Sequence, residues 1–100
     1  MDEATVREHA ETHARATVER NYEVAGSYLS EEAMANASAV MREMPRRLTS
    51  AEVGDVERSG DAFTCTIRYA GDEGTTTVES RWEDVGGRPT IVALAVAEKD

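Results

Sequence analysis

The sequence predicts an α+β domain: N-terminal helices packed on the concave face of a strongly curved, four-stranded antiparallel meander. Three observations predict it. Apolar residues recur at helical spacing as far as Met44 and alternate with polar ones from Leu48 onward. Three glycine-containing turns, Ser59-Gly60-Asp61, Gly71-Asp72-Glu73-Gly74 and Gly86-Gly87-Arg88-Pro89, divide the second half into strand-length pieces. At 100 residues the chain has room for one core, so residues 1–100 form a single domain whose helices and sheet must cover one another.

The first helix carries Val6, Ala10, His13, Ala14, Thr17, Asn21 and Val24 on one stripe. Glu8, Glu11, Arg15, Glu19 and Glu23 take the opposite face, where Glu11 and Arg15 support the helix as an i,i+4 pair. Residues 22–29 read as a short second helix after a bend, interrupted at Gly26 and Ser27. The third helix is better marked. Ser30 is its N-cap, Glu31 and Glu32 suit the positive end of the dipole, and Pro45 ends it. Its buried stripe, Ala33, Ala37, Val40, Met41 and Met44, is small or flexible enough to lie close to a curved surface.

Four strands follow, at 48–58, 62–70, 75–85 and 89–97. In the first, Ala51 and Val53 share one parity and Val56 takes the other, which places a bulge at Gly54. Centring the next hairpin on Asp72-Glu73 sets Tyr69 opposite Thr76, Ile67 opposite Val78, Cys65 opposite Ser80 and Phe63 opposite Trp82, with the apolar residues on one face. Centring the last on Gly86-Gly87 sets Trp82 opposite Ile91 and Val78 opposite Ala95. The inward positions are then Phe63, Cys65, Ile67, Tyr69, Val78, Ser80, Trp82, Ile91 and Ala93, and none is a carboxylate. Val92, Leu94 and Val96 fall on the other face with Glu79 and Arg81 as a polar rim. A row of large apolar residues is seldom left to water, so a symmetric homodimer through this sheet face is expected.

Composition narrows the function. Hydrophobic residues at 40% and charged residues at 31% give a globular chain. The longest apolar stretch, residues 91–97, is too short to span a bilayer, and no basic segment followed by an apolar run marks a secretory signal. The lone Cys65 cannot form an internal disulfide and suits a reducing cytoplasm. A net charge of −9 repels phosphate backbones, and Arg42, Arg46 and Arg47, diluted by Glu43, are more simply a helix C-terminus than a nucleic-acid patch. Neither nucleic acid nor membrane is an expected partner.

His13, Thr17 and Asn21 form the most suggestive polar set, a line at i, i+4, i+8 within an apolar stripe. Facing a pocket, they would aim hydrogen-bonding groups at a ligand, with His13 available as a general base. The plainer alternative leaves His13 as a satisfied helix histidine and bonds Thr17 and Asn21 to nearby backbone. His9 and His13 could share a metal, but no third or fourth ligand stands at zinc-site spacing, so no metal or other cofactor is expected. Cys65 in an apolar alternation reads as a small buried hydrophobe. Tyr69 and Trp82 read as pocket wall or core, and Tyr69 is the better ligand contact because its hydroxyl needs a partner.

Two stretches resemble a known family: Ser80-Arg81-Trp82-Glu83-Asp84-Val85-Gly86-Gly87-Arg88-Pro89-Thr90-Ile91-Val92, similar to its aromatic strand, turn and following Ile strand, and His13-Ala14-Arg15-Ala16-Thr17-Val18-Glu19-Arg20-Asn21-Tyr22, similar to its opening helix. The family is the nuclear transport factor 2-like (cystatin-like) superfamily. It includes ketosteroid isomerases, SnoaL-type polyketide cyclases, dehydratases and many uncharacterised small bacterial proteins. The resemblance implies a cone fold with a pocket between the first helix, the third helix and the concave sheet face. Its enzymes use an inward-facing acidic base or a His-Asp pair, which the inward positions here lack. The residues therefore favour a domain that binds a small apolar molecule in the cone, at His13, Thr17, Asn21, Tyr69 and Trp82. One alternative is an isomerase, cyclase or dehydratase acting on a small ring compound through His13 or Tyr69. Another is a structural or interaction module whose cone is filled. A cavity of about 300 Å³ or more with convergent polar groups separates the first two from the third.

Overall fold

A computed structural model of the protein describes residues Met1–Asp100. The elements run α1 (Glu3–Val18), α2 (Tyr22–Gly26), α3 (Glu31–Arg42), β1 (Leu48–Ser59), β2 (Ala62–Gly71), β3 (Gly74–Val85) and β4 (Arg88–Lys99). The strands form one antiparallel sheet in the order β1-β2-β3-β4, as the meander requires. The helices lie on its concave face, with α1 against β1 and β2 and α3 against β4.

Local chemistry sets the helix ends. Asp2 accepts from the Thr5 N–H at 2.8 Å to open α1, and Ser30 accepts from the Ala33 N–H at 3.2 Å to open α3. α1 stops because Arg20 turns left-handed (φ 62°), so that Asn21 N–H reaches Ala16 O at 2.8 Å and Arg20 N–H reaches Thr17 O at 3.2 Å. This is a Schellman ending with an arginine where glycine is usual. It puts Asn21 beyond the helix, so the stripe expected to run on to Val24 is broken after Thr17.

In β1 the bulge falls at Gly54: Val53 pairs with Ile67 and Val56 with Cys65, which leaves Gly54 and Asp55 opposite Thr66. A Cβ at position 54 would sit 2.6 Å from Thr66 Oγ1, so the bulge needs glycine for close approach. The Arg7 guanidinium donates to Gly54 O at 2.9 Å and so anchors α1 to the bulge. Between β2 and β3 the register is the expected one at all four pairs, from Tyr69–Thr76 to Phe63–Trp82.

β4 departs from expectation. Trp82 pairs with Ile91, but Arg81 pairs with Ala93, so Val92 is an extra residue in a bulge. The parity of residues 93–96 is reversed, until a second bulge at Ala97 restores it for Glu98 opposite Thr77. Ser80 then faces Leu94, and Val78 faces Val96 rather than Ala95. Leu94 and Val96 turn inward and pack against the core, while Ala93, expected inward, is exposed opposite Arg81. Val92, Leu94 and Val96 therefore do not form an outer apolar row. The convex face of β4 presents Ala93 and Ala95 beside Arg81 and Glu79. The bulge sorts the strand by size, with large side chains inside and alanines outside.

The outer edge of β4 is covered by the helical half of the chain. Ile91 N–H donates to Tyr28 O at 2.7 Å, Ser30 N–H donates to Ile91 O at 2.9 Å, and the Asn36 amide donates to Leu94 O at 2.6 Å. These bonds occupy ladder groups that an edge strand would otherwise offer to another chain. No helix is long and apolar enough to cross a membrane.

Candidate ligand cavity

The second half of α1, the α2 turn, α3 and the middle of the sheet leave a cavity of about 170 Å³ between them. Its walls are mostly apolar. Met34, Val40 and Met41 come from α3, Met44 from just beyond it, and Val78 and Leu94 from the sheet, while His13, Thr17 and Tyr69 supply the buried polar atoms. Met34 and Met41 are 50% and 43% exposed, so α3 forms a partly solvated wall and Met41 is not buried as its stripe implied. The flexible thioethers adjust to whatever occupies the space.

His13 is buried, and its Nδ1 lies 3.0 Å from Ala25 O. A carbonyl only accepts, so Nδ1 carries the proton and Nε2 keeps a free lone pair. Nε2 has no protein partner, yet no fully buried side-chain polar atom of the chain is left unbonded. Nε2 is therefore the ring nitrogen open to the cavity. Burial lowers the His13 pKa below its ordinary value, opposed by the Ala25 carbonyl, so the imidazole is neutral near pH 7.

Thr17 Oγ1 donates to His13 O at 2.9 Å, the local back-bond of a helical threonine. Tyr69 stands beside Thr17. Burial pushes its phenol up to about 12, with the Thr17 hydroxyl pulling the other way, so it stays protonated and can donate. These three are the predicted ligand residues that the fold brings together.

Two others lie elsewhere. Asn21 is exposed, and its side chain accepts from Val24 N–H at 3.3 Å as the N-cap of α2. Trp82 is fully buried in the core, its indole N–H donating to Ser80 Oγ at 2.9 Å while Ser80 donates to Cys65 O at 2.9 Å. The ring is walled off by His13 and Tyr28, whose centroids lie 6.4 and 5.7 Å away in edge-on contact. Tyr28 was not foreseen. Its hydroxyl lies 3.2 Å from His9 Nδ1, and its ring also meets His13. Leu29 and Met34, also unforeseen as walls, bracket the Ser30 cap at the N′ and N4 positions. That spacing is the hydrophobic staple, and it could have placed both.

His9 and His13 hold different partners, and no three His, Cys, Asp or Glu side chains cluster at metal-binding distance. Cys65 is buried, and burial pushes its thiol up to about 11, far from thiolate chemistry at neutral pH. No carboxylate lines the cavity; Glu79 and Asp61 are exposed on the sheet's outer side and at a turn.

Neither a protein-family model nor a curated protein matches the sequence. Among solved structures, the chain is similar to an NTF-2-like protein of unknown function from Burkholderia xenovorans LB400, with a TM-score of 0.62 at 14% identity, over 96% of this chain and 85% of that one. At that identity the likeness speaks for architecture alone, and with helices first and a four-stranded antiparallel sheet around them the chain has the nuclear transport factor 2-like fold.

Proposed function

We propose that the chain is a cytoplasmic small-molecule-binding domain whose cavity takes a compact apolar ligand of about one ring. The observation that carries this is the cavity itself: about 170 Å³, apolar on most sides, with the free Nε2 of a neutral histidine open to it. Its volume is below the roughly 300 Å³ expected of an open cone, which counts toward the filled-cone alternative and leaves space only for a small ligand. It exceeds the roughly 150 Å³ at which an apolar engineered cavity stays dry and binds benzene. Size thus selects the ligand class. A compact ring fits, and a fused-ring molecule of steroid size does not.

Methionine methyls are the test. Met34, Met41 and Met44 line the cavity, and Met1 lies exposed at the chain end as an internal control. Titrating propylbenzene into protein carrying carbon-13 methionine methyls should shift the three cavity signals saturably and leave Met1 still. Uniform or absent shifts refute the reading.

A proton-transfer enzyme is the second reading, favoured by the free lone pair on His13 and opposed by the lack of a carboxylate to orient the ring. It requires a rate on a small cyclic ketone that His13→Ala abolishes. For assembly, a homodimer through the convex sheet face would rest on Ala93 and Ala95 between Glu79 and Arg81, a smaller and more polar contact than an apolar row.

A further inference from the structure

Beside the apolar cavity lies a second chamber of about 290 Å³, and the two share Thr17, Tyr22, Met41 and Met44 as walls. The outer chamber adds Arg20, Arg42 and Arg46 and contains no carboxylate. This is unexpected in a chain with twenty acidic and eleven basic residues. The ion pairs of the protein are Arg81–Glu83 and Lys99–Glu43, so none of the three guanidinium groups is paired. The nearby acids are engaged elsewhere. Glu43 holds Lys99, and Glu73 accepts from the Arg46 backbone N–H at 3.2 Å. Glu19 and Glu23, next to Arg20 and Tyr22 in sequence, do not line the chamber.

Arg20 adds an independent observation. Its φ of 62° is the left-handed conformation in which glycine is the ordinary residue at a helix end. A residue with a Cβ there costs stability that glycine would spare, yet the position places an arginine at the chamber. Strain retained at a cavity rim points to use of the side chain.

We propose that the site takes a small amphipathic anion, its one-ring apolar body in the inner cavity and its anionic head group among Arg20, Arg42 and Arg46. The inference rests on the binding reading above and adds the charged end. Guanidinium groups suit such a head group because their planar donors pair with two oxygens at once, and unpaired ones lose no internal partner on binding. Tyr22, Met41 and Met44, shared by both chambers, would enclose the joint between ring and head group.

The experiment compares three probes of one shape by calorimetry and methionine-methyl shifts: 3-phenylpropanoate, the neutral 3-phenylpropanamide, and propylbenzene. The acid should bind about tenfold or more tighter than the amide, because charge-assisted pairs are the stronger ones. Added salt should narrow that gap, as should Arg42→Gln with Arg46→Gln, two exposed positions whose folding circular dichroism verifies. Arg20→Gly should raise the thermal midpoint while weakening acid binding, opposite signs that a structural role cannot give. Equal affinity for acid and amide overturns the anion and leaves the apolar cavity standing. An acid preference that survives all the arginine substitutions overturns its location. Failure of all three probes, propylbenzene included, removes the cavity reading and the anion with it.

Discussion

The Nδ1 of His13 sits 3.0 Å from the carbonyl oxygen of Ala25, and this single bond ties α1 to α2 and fixes the imidazole tautomer. Because His13 is buried and its pKa is lowered, the folded protein resists the proton that the unfolded chain accepts near pH 6.5. The histidine therefore costs nothing above that pH. Below it the unfolded state binds more protons, and stability falls until pH reaches the depressed folded pKa. Urea unfolding at pH 7.5 and 5.5 should show the wild type losing up to about 1.4 kcal/mol per pH unit more than His13→Gln, whose own loss reports the carboxylates. Equal losses would mean that the imidazole is solvated.

Gly54 gives a steric prediction. A methyl there meets Thr66 Oγ1 at 2.6 Å across the bulge, so Gly54→Ala should cost about 1–3 kcal/mol as an overpacked site. Thr66→Ala removes the obstructing oxygen. The double variant should recover much of the loss, a coupling that distant sites do not show. Additive losses in the cycle would place the strain elsewhere.

What the sequence revealed depended on whether one parity was marked. β2 and β3 carry apolar residues on one face and threonine, arginine or glutamate on the other, so a one-residue slip would expose Ile67 and Val78 and the register is fixed. β4 offers no such mark, since residues 91–97 are all apolar and the bulge at Val92 leaves both parities plausible on paper. The three-residue step from Ile91 to Leu94 between large side chains was the available sign. In the site, His13 and Thr17 followed from helical spacing and Tyr69 from strand alternation. Asn21 was lost because an arginine, not a glycine, makes the left-handed stop of α1. Trp82 was correctly placed inward, but only the rings of Tyr28 and His13 around it separate core from cavity wall, and no local spacing encodes them.

The reversed parity of β4 is open to a direct test. Leu94 lines the cavity and faces Ser80, whereas Ala95 faces Glu79 on the convex side. Leu94→Arg should destabilise the fold by about 2 kcal/mol or more, since it removes an apolar wall and brings an unpaired charge toward the core. Ala95→Arg should stay within about 0.5 kcal/mol of the wild type. Light scattering on the same proteins addresses assembly, because only the exposed position can alter a sheet-face contact. A stable, monomeric Leu94→Arg beside a dimeric wild type would restore the outer apolar row and refute the bulge.

Ser80 supplies the last prediction. Its hydroxyl accepts from the Trp82 indole at 2.9 Å and donates to Cys65 O at 2.9 Å, and both Ser80 and Trp82 are fully buried. One small side chain thus satisfies a donor on its own strand and an acceptor on the neighbouring one. Ser80→Ala removes little volume but leaves the buried indole N–H without an acceptor, which costs about 1–3 kcal/mol. Ser80→Thr keeps the hydroxyl and adds one methyl to a packed site, so its loss measures crowding alone. Trp82 is the protein's single tryptophan, and its fluorescence reports on the bond directly. Ser80→Ala should lower the unfolding midpoint and shift the native emission, while Ser80→Thr leaves the emission near that of the wild type. If both variants leave emission and midpoint unchanged, the indole has another partner and the Ser80 bridge does not hold β2 to β3.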